Sequence, residues 1–243
     1  MIKVFSSFEE LNFYAAEKFI EIAKDAIEKR GRFTVVLAGG STPKSLYQTL
    51  SSDKLKSEID WSKVYFFFGD ERNVAPIDKD SNFKMAKESF FEPLNSSEKN
   101  IVRWQTELKD TDEIAADYAY KIKNFFNLPA DEFPRFDLIL LGMGDDGHTA
   151  SLFPSTEALN ESEKIAVANP VEKLDTTRLT LTLPAINNAA NVIFLVKGDD
   201  KAEILSKVLE GNFQPEKYPS QAVNPRKGKL YWLIEHEAAR LLR

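Results

Sequence analysis

FDLILLGMGDDGHTASLFP, residues 136–154, is the stretch on which the reading of this chain turns. Its first part, Phe136 to Leu141, is an almost wholly apolar β-type run. It stops at Gly142, Gly144 and Gly147, spaced G-x-G-x-x-G. A run that is apolar on both faces and ends abruptly in glycines predicts a parallel strand covered on both sides. The loop that follows then lies beyond the strand's carboxyl end, where open α/β sheets bind ligands.

The glycine spacing could be a dinucleotide cradle, with Glu172 after the run IAVANP as the ribose acid. Two features argue against that. Asp145 and Asp146 would face a pyrophosphate of like charge, and the fingerprint normally opens a domain at its first strand rather than after two strand and helix units. The alternative is Asp146 with His148 as a working pair, a carboxylate that fixes the imidazole tautomer and raises its basicity. Residue types alone leave open a loop histidine satisfied by local hydrogen bonds. An Asp-x-His metal site would lack further histidine ligands, since His148 and His236 are the whole imidazole supply. His236, in LIEHEAARLL, is expected to be solvated on a terminal helix.

The same strand and helix grammar extends in both directions. Residues 7–30 carry apolar positions at helical spacing and stop at Gly31. FTVVLA (33–38) is a strand ending at Gly39-Gly40, with Pro43 in the first turn of the next helix. VYFFFGD (64–70) is a second strand, and helices follow near 81–91 and over 111–127. RLTLTL (178–183), NVIFLV (191–196) and LYWLIE (230–235) complete the set, RLTLTL alternating in the manner of a strand nearer an edge. The pattern predicts an α/β fold, with one doubly wound, mainly parallel sheet and helices on both faces. Nothing resembling a linker or an internal repeat divides residues 1–243, so one domain is expected.

Composition narrows the function. The chain has 243 residues and no cysteine, which excludes disulfides, thiolate nucleophiles and Cys-held metals. A formal net charge of -6, spread over mixed-sign helices, offers no basic stripe for nucleic acid. No apolar run is long enough to span a membrane, and MIKVFSSFEELNFY lacks the form of a signal peptide, so a cytoplasmic protein is expected.

Polar loops follow three strands: AGGSTPKS (38–45), GDERNV (69–74) and GMGDDGHTAS (142–151). VKGDDK (196–201) follows a fourth. In the first, Gly39, Gly40, Ser41 and Thr42 at a helix start can present N–H groups to a phosphate; a plain turn with Ser41 or Thr42 as N-cap fits equally. The second puts Asp70, Glu71 and Arg72 at a strand end, where alternation points one residue into a cleft and its neighbour away; a surface ion pair is the commoner use of such a triplet. Arg178 and Lys201 can each neutralise an anion, although isolated cations are usually solvent-exposed.

In this order the loops resemble the 6-phosphogluconolactonase family, within the superfamily that includes glucosamine-6-phosphate isomerase/deaminase. The resemblance runs through GGSTP, GDER, SNF (81–83), GMGDDGHTASLFP, RLTLTLPAINNA and VKGDDKA, most of the chain. It implies hydrolysis of 6-phospho-glucono-1,5-lactone without metal or cofactor. His148 would activate water, Asp146 would orient the imidazole, Arg72 would stabilise the oxyanion and Asp70 would partner Arg72 or substrate hydroxyls. The GGST loop with Arg178 and Lys201 would hold the phosphate. The amino-sugar isomerases resemble D-G-H-I-A-F-N-E after the same strand, with a Glu five positions beyond the His where this chain has Phe153, and an aromatic residue where it has Arg72. Asp145 and Glu235 depart from the lactonase pattern, which often has a Pro or small residue and an Asp there. The expected partner is a small phosphorylated lactone, and the expected assembly a monomer or small homo-oligomer.

Overall fold

The structure is a computed structural model that describes residues 1–129 and 131–243. Strand β1 (Ile2–Phe5) leads into helix α1 (Phe8–Arg30), whose limits follow from capping chemistry. The Ser7 side chain accepts the Glu10 N–H, Glu9 and Glu10 sit at the positive end of the helix, Lys29 and Arg30 at the negative end, and Gly31 closes it at φ 72°. One face of α1, with Leu11, Ala15, Phe19, Ala23 and Ala26, is buried against the sheet.

The chain continues through β2 (Phe33–Leu37), α2 (Ser41–Leu50), β3 (Val64–Phe68), the short β4 (Asp70–Arg72) and α3 (Asn82–Ala86). Helix α3 runs on through a π turn, Lys87–Phe91, into α4 (Glu92–Leu94). Then come α5 (Thr111–Phe126), β5 (Leu138–Leu141), β6 (Ala166–Val171), β7 (Thr176–Leu181), α6 (Leu183–Asn187), β8 (Asn191–Val196), α7 (Ala202–Leu209), β9 (Lys229–Glu235) and α8 (His236–Ala239).

Six strands form one sheet in the order β1-β9-β8-β5-β2-β3, every pair parallel. Its central strands β2, β5 and β8 are buried almost throughout, as expected of strands covered on both faces. Asp137 is the exception in the apolar run 136–141. Its carboxylate accepts the Thr34 N–H and hydroxyl at 2.8 Å each and pairs with Arg30 at 2.6 Å, so the charge at the entry to β5 is satisfied.

RLTLTL is not part of this sheet. It lies in β7, the centre of a separate three-stranded antiparallel sheet ordered β4-β7-β6. Its alternation reflects that position, with Leu179 and Leu181 buried in the core and Arg178 partly exposed on the opposite face. β1 is the second feature that periodicity did not reveal, because a four-residue edge strand with three exposed residues carries no apolar signature.

Two buried tyrosines finish the strands that carry the site. The Tyr47 hydroxyl donates to the Ala38 carbonyl at 2.8 Å and accepts the Ala38 N–H at 2.9 Å. Tyr118 does the same at Phe68, donating at 2.9 Å and accepting at 2.7 Å. Each ring supplies core area while its hydroxyl satisfies both backbone groups of the residue just before a glycine turn. Burial raises both hydroxyl pKa values, so both remain protonated.

Candidate active site

The sheet order reverses direction between β2 and β5, since β2 leads outward to β3 while β5 begins the opposite half. A crevice opens beyond the carboxyl ends at such a point. A polar cavity of about 160 Å³ lies there, lined by Ala38 and Gly39 after β2, Asp70 and Arg72 on β4, and Gly142, Met143, Gly144, His148 and Ala150 after β5. A larger groove of about 580 Å³ between α5 and β6 contains no histidine or arginine and has alanines along its length. Size does not mark the site here; convergent chemistry does.

Within the loop after β5, His148 Nδ1 lies 2.6 Å from Asp146 Oδ1, and the same oxygen accepts the His148 backbone N–H at 3.0 Å. An ionised carboxylate at that distance accepts a hydrogen bond from Nδ1–H, which fixes the tautomer and leaves Nε2 with its lone pair. No protein group among the described residues bonds Nε2. The second carboxylate oxygen, Oδ2, is ion-paired with Lys173 on the turn between β6 and β7. Phe153 stacks on the imidazole with centroids 4.1 Å apart.

These contacts also bear on metals. Asp145, Asp146 and His148 form the one group of potential ligands among the described residues. Both oxygens of Asp146 are already engaged by His148 and Lys173, so the donor set is arranged to hold the imidazole rather than a cation.

Burial pushes the His148 pKa down to about 4. Asp70 and Asp145 oppose the shift, and the positive charges of Lys201 and Arg178 add to it. The ring is therefore neutral at physiological pH. Since the unfolded-state value is near 6.5, the unfolded chain binds the extra proton first, and this contribution to stability, present above pH 6.5, is lost as pH falls toward 4. Urea unfolding of wild-type protein is expected to lose more stability between pH 7 and pH 5 than that of a His148→Asn variant. Equal losses would contradict a neutral buried imidazole.

The GDER segment divides as alternation requires. Asp70 and Arg72 reach the cavity, while Glu71 is buried behind them and accepts the N–H groups of Arg72, Asn82 and Phe83 at 2.7–2.8 Å. Burial raises the Glu71 pKa against those three hydrogen bonds. Asp70 is held on both oxygens, with Ser151 donating to Oδ2 at 2.8 Å and Asn82 to Oδ1 at 3.3 Å. Arg72 donates to the Asp80 carbonyl.

Arg72 and Arg178 are direct cross-strand partners in the β4-β7 ladder. Two guanidinium side chains opposite each other repel. Burial, and then Arg72, lower the Arg178 pKa, and Arg178 Nε is buried without a partner. The arrangement is one that an anion would complete.

Glycines make the close approaches possible. A Cβ on Gly144 would overlap the His148 ring, and one on Gly39 would overlap the Asn82 side chain. Gly144 has no positive φ, so alanine strains no backbone there and acts on the ring alone. Gly144→Ala is expected to lose about 100-fold in turnover, the usual scale for a displaced reacting group, and to lower the thermal midpoint because the displaced ring gives up its Asp146 bond and its stacking on Phe153. Steady-state kinetics beside a melting curve check both halves.

In the GGST loop Gly40, at φ 101°, is the N-cap of α2, and no side chain caps the helix. Ser41 and Thr42 lie within the first turn rather than at the cap, so the first N–H groups have no side-chain cap. Gly40, Ser41, Thr42, Arg178 and Lys201 lie outside the wall of the small cavity. Lys201 pairs with Asp200 at 3.0 Å beside the Gly198 turn, and Glu235 secures that turn by accepting the Gly198 N–H at 2.9 Å. His236 is exposed at the start of α8.

Ser151, Asn82 and Lys173 were not legible as site residues. Ser151 and Asn82 lay inside quoted motifs, but only the fold shows that both reach Asp70; Lys173 had no motif at all.

A sequence profile described as "Glucosamine-6-phosphate isomerases/6-phosphogluconolactonase" matches residues 6–232. A 6-phosphogluconolactonase from Synechocystis is 41% identical over 219 residues, covering 90% of this chain and 88% of that one. A rat 6-phosphogluconolactonase is 36% identical, over 100% and 93%. A solved 6-phosphogluconolactonase from Trypanosoma brucei superposes with a TM-score of 0.86 at 28% identity, over 100% and 98%. A solved monomeric glucosamine-6-phosphate deaminase shares the fold, with a TM-score of 0.81 at 21% identity over 99% of each chain.

Proposed function

The chain belongs to the glucosamine-6-phosphate isomerase/6-phosphogluconolactonase family, and from that footing we propose that it hydrolyses 6-phospho-D-glucono-1,5-lactone to 6-phospho-D-gluconate in the oxidative pentose phosphate pathway. The observation that carries this reading is the Asp146-bound His148, neutral and with Nε2 free at a cavity shared with Asp70 and Arg72.

In this mechanism Nε2 removes a proton from water as its oxygen attacks the lactone carbonyl. Arg72 faces the oxygen that gains charge, where a fixed cation lowers the energy of the tetrahedral state. Asp146 accepts from Nδ1–H and stabilises the imidazolium. The carbonyl re-forms, the bond to the ring oxygen breaks, and the proton passes from Nε2 to that oxygen. Product leaves as the carboxylate after losing its acidic proton to solvent. No metal or cofactor enters any step.

The sugar ring is assigned to this cavity, with Asp70 offered to its hydroxyls. The phosphate extends toward the Gly39-Gly40-Ser41-Thr42 turn, Arg178 and Lys201. Uncapped N–H groups and a helix dipole support that end of the assignment, and so does the unpaired Nε of Arg178. We further take residues 1–243 to act as one catalytic domain, cytoplasmic, as a monomer or small homo-oligomer without a nucleic-acid partner. No helix among the described residues is long and apolar enough to cross a membrane.

The competing activity within the family is amino-sugar phosphate isomerisation. Phe153, stacked on His148, places an apolar ring where that reaction would need a carboxylate to assist ring opening. The deciding experiment generates the lactone freshly, follows its consumption, and subtracts spontaneous hydrolysis. Rates no faster than the uncatalysed background, or ammonia released from glucosamine 6-phosphate, would sink the lactonase reading.

A further inference from the structure

The ion pair between Lys173 and Asp146 has no part in the mechanism above, yet it touches the group that holds the base. Lys173 projects from the tip of the β6–β7 hairpin, the turn Glu172–Leu174 closed by Asp175 at φ 47°. Its Nζ pairs with Asp146 Oδ2 and lies 5.1 Å from the centre of the Phe153 ring, so one side chain reaches both neighbours of the imidazole. Asp146 does not need Lys173 to find its orientation, because Oδ1 is already bonded twice by His148, through Nδ1 and the backbone N–H. What Lys173 adds is charge.

We propose that Lys173 is a positioning residue that acts through Asp146: by sharing the carboxylate it limits the stabilisation of the His148 imidazolium and keeps the base in its working, unprotonated form further into the acid range. The inference rests on His148 serving as the base. The charges that act on the ring come from several elements: Asp70 on β4, Asp145 on its own loop, Arg178 on β7 and Lys201 before α7, beside Asp146, which is bonded to Nδ1. Among the described residues, Lys173 is the only cation bonded to the carboxylate that holds the ring. Uncatalysed lactone hydrolysis is driven by hydroxide and slows as pH falls, so an enzyme that keeps its base free in mild acid works where the spontaneous reaction contributes least.

The test is a titration of the ligand-free protein, with the imidazole signals followed by NMR from pH 8 down to about pH 3, below the His148 midpoint near 4. There are only two histidines, and exposed His236 serves as an internal control. Lys173→Met removes the charge and keeps most of the stem. The His148 titration is expected to move upward by roughly half a unit, the scale for a half-exposed ion pair, while His236 stays fixed. Lys173→Arg, which keeps the charge, should retain the wild-type titration, and Lys173→Gln, which also removes the charge, replaces the methionine variant if that one fails to fold. In kinetics the acid limb of kcat/KM should move with the titration. An unmoved titration in Lys173→Met, or a uniform loss of rate at every pH with the acid limb in place, would overturn the proposal. Absence of lactonase activity in the wild-type protein is a different result. It would remove the function while leaving the titration to decide the role of Lys173.

Discussion

Replacing His148 with alanine is expected to reduce kcat by about 100- to 10,000-fold, the range associated with loss of a general base, while KM changes little. The split follows from where the ring sits. Its Nδ1 is committed to Asp146, one face lies against Phe153, and the residue lines the cavity with Nε2 unbonded, so the side chain is assigned to the reacting water and not to the phosphate end. Alanine also removes a proton acceptor from a buried site without introducing a charge, so the fold should survive. A variant that retains full activity after correction for spontaneous hydrolysis would refute the mechanism even if the reaction were correctly assigned.

The second large effect is expected at Arg178, with opposite signs for binding and stability. Arg178→Met removes one guanidinium of the facing pair Arg72 and Arg178. A charge-assisted hydrogen bond to phosphate is worth about 1.5–3 kcal/mol, so KM for the phosphorylated lactone should rise about 10- to 150-fold, whereas an unphosphorylated lactone should be nearly indifferent. In the absence of ligand the same change removes a like-charge cross-strand contact and a buried unpaired Nε. The thermal midpoint should therefore rise by a few degrees. A drop in midpoint, or equal losses on both substrates, would show that Arg178 is structural.

The fold was legible wherever both faces of an element are buried. FTVVL, LILL and NVIFLV read directly as strands because continuous apolar runs bounded by glycine or polar residues have few other uses. The antiparallel sheet was not legible, because Asp70–Arg72 is three residues of charge and becomes a strand only by pairing with Thr176–Leu181. For the site, spacing within a loop was readable: Asp146 and His148 are two residues apart, and their contact is local. Contacts between distant loops were not. Ser151 reaches Asp70 across 81 positions, and Lys173 reaches Asp146 across 27. Lysine on an exposed turn is ordinary, and nothing but the folded chain distinguishes this one.

The tyrosine hydroxyls behind the site have a consequence for how it fails. Tyr47 closes the end of β2 and Tyr118 the end of β3, each through two hydrogen bonds to a single backbone residue. The turns that present Gly39 and Asp70 are thereby tied to side chains that are themselves fully buried, and they cannot loosen while those rings remain packed. On heating, the pocket has no softer mode of its own along this wall. Inactivation and unfolding should therefore arrive as one event.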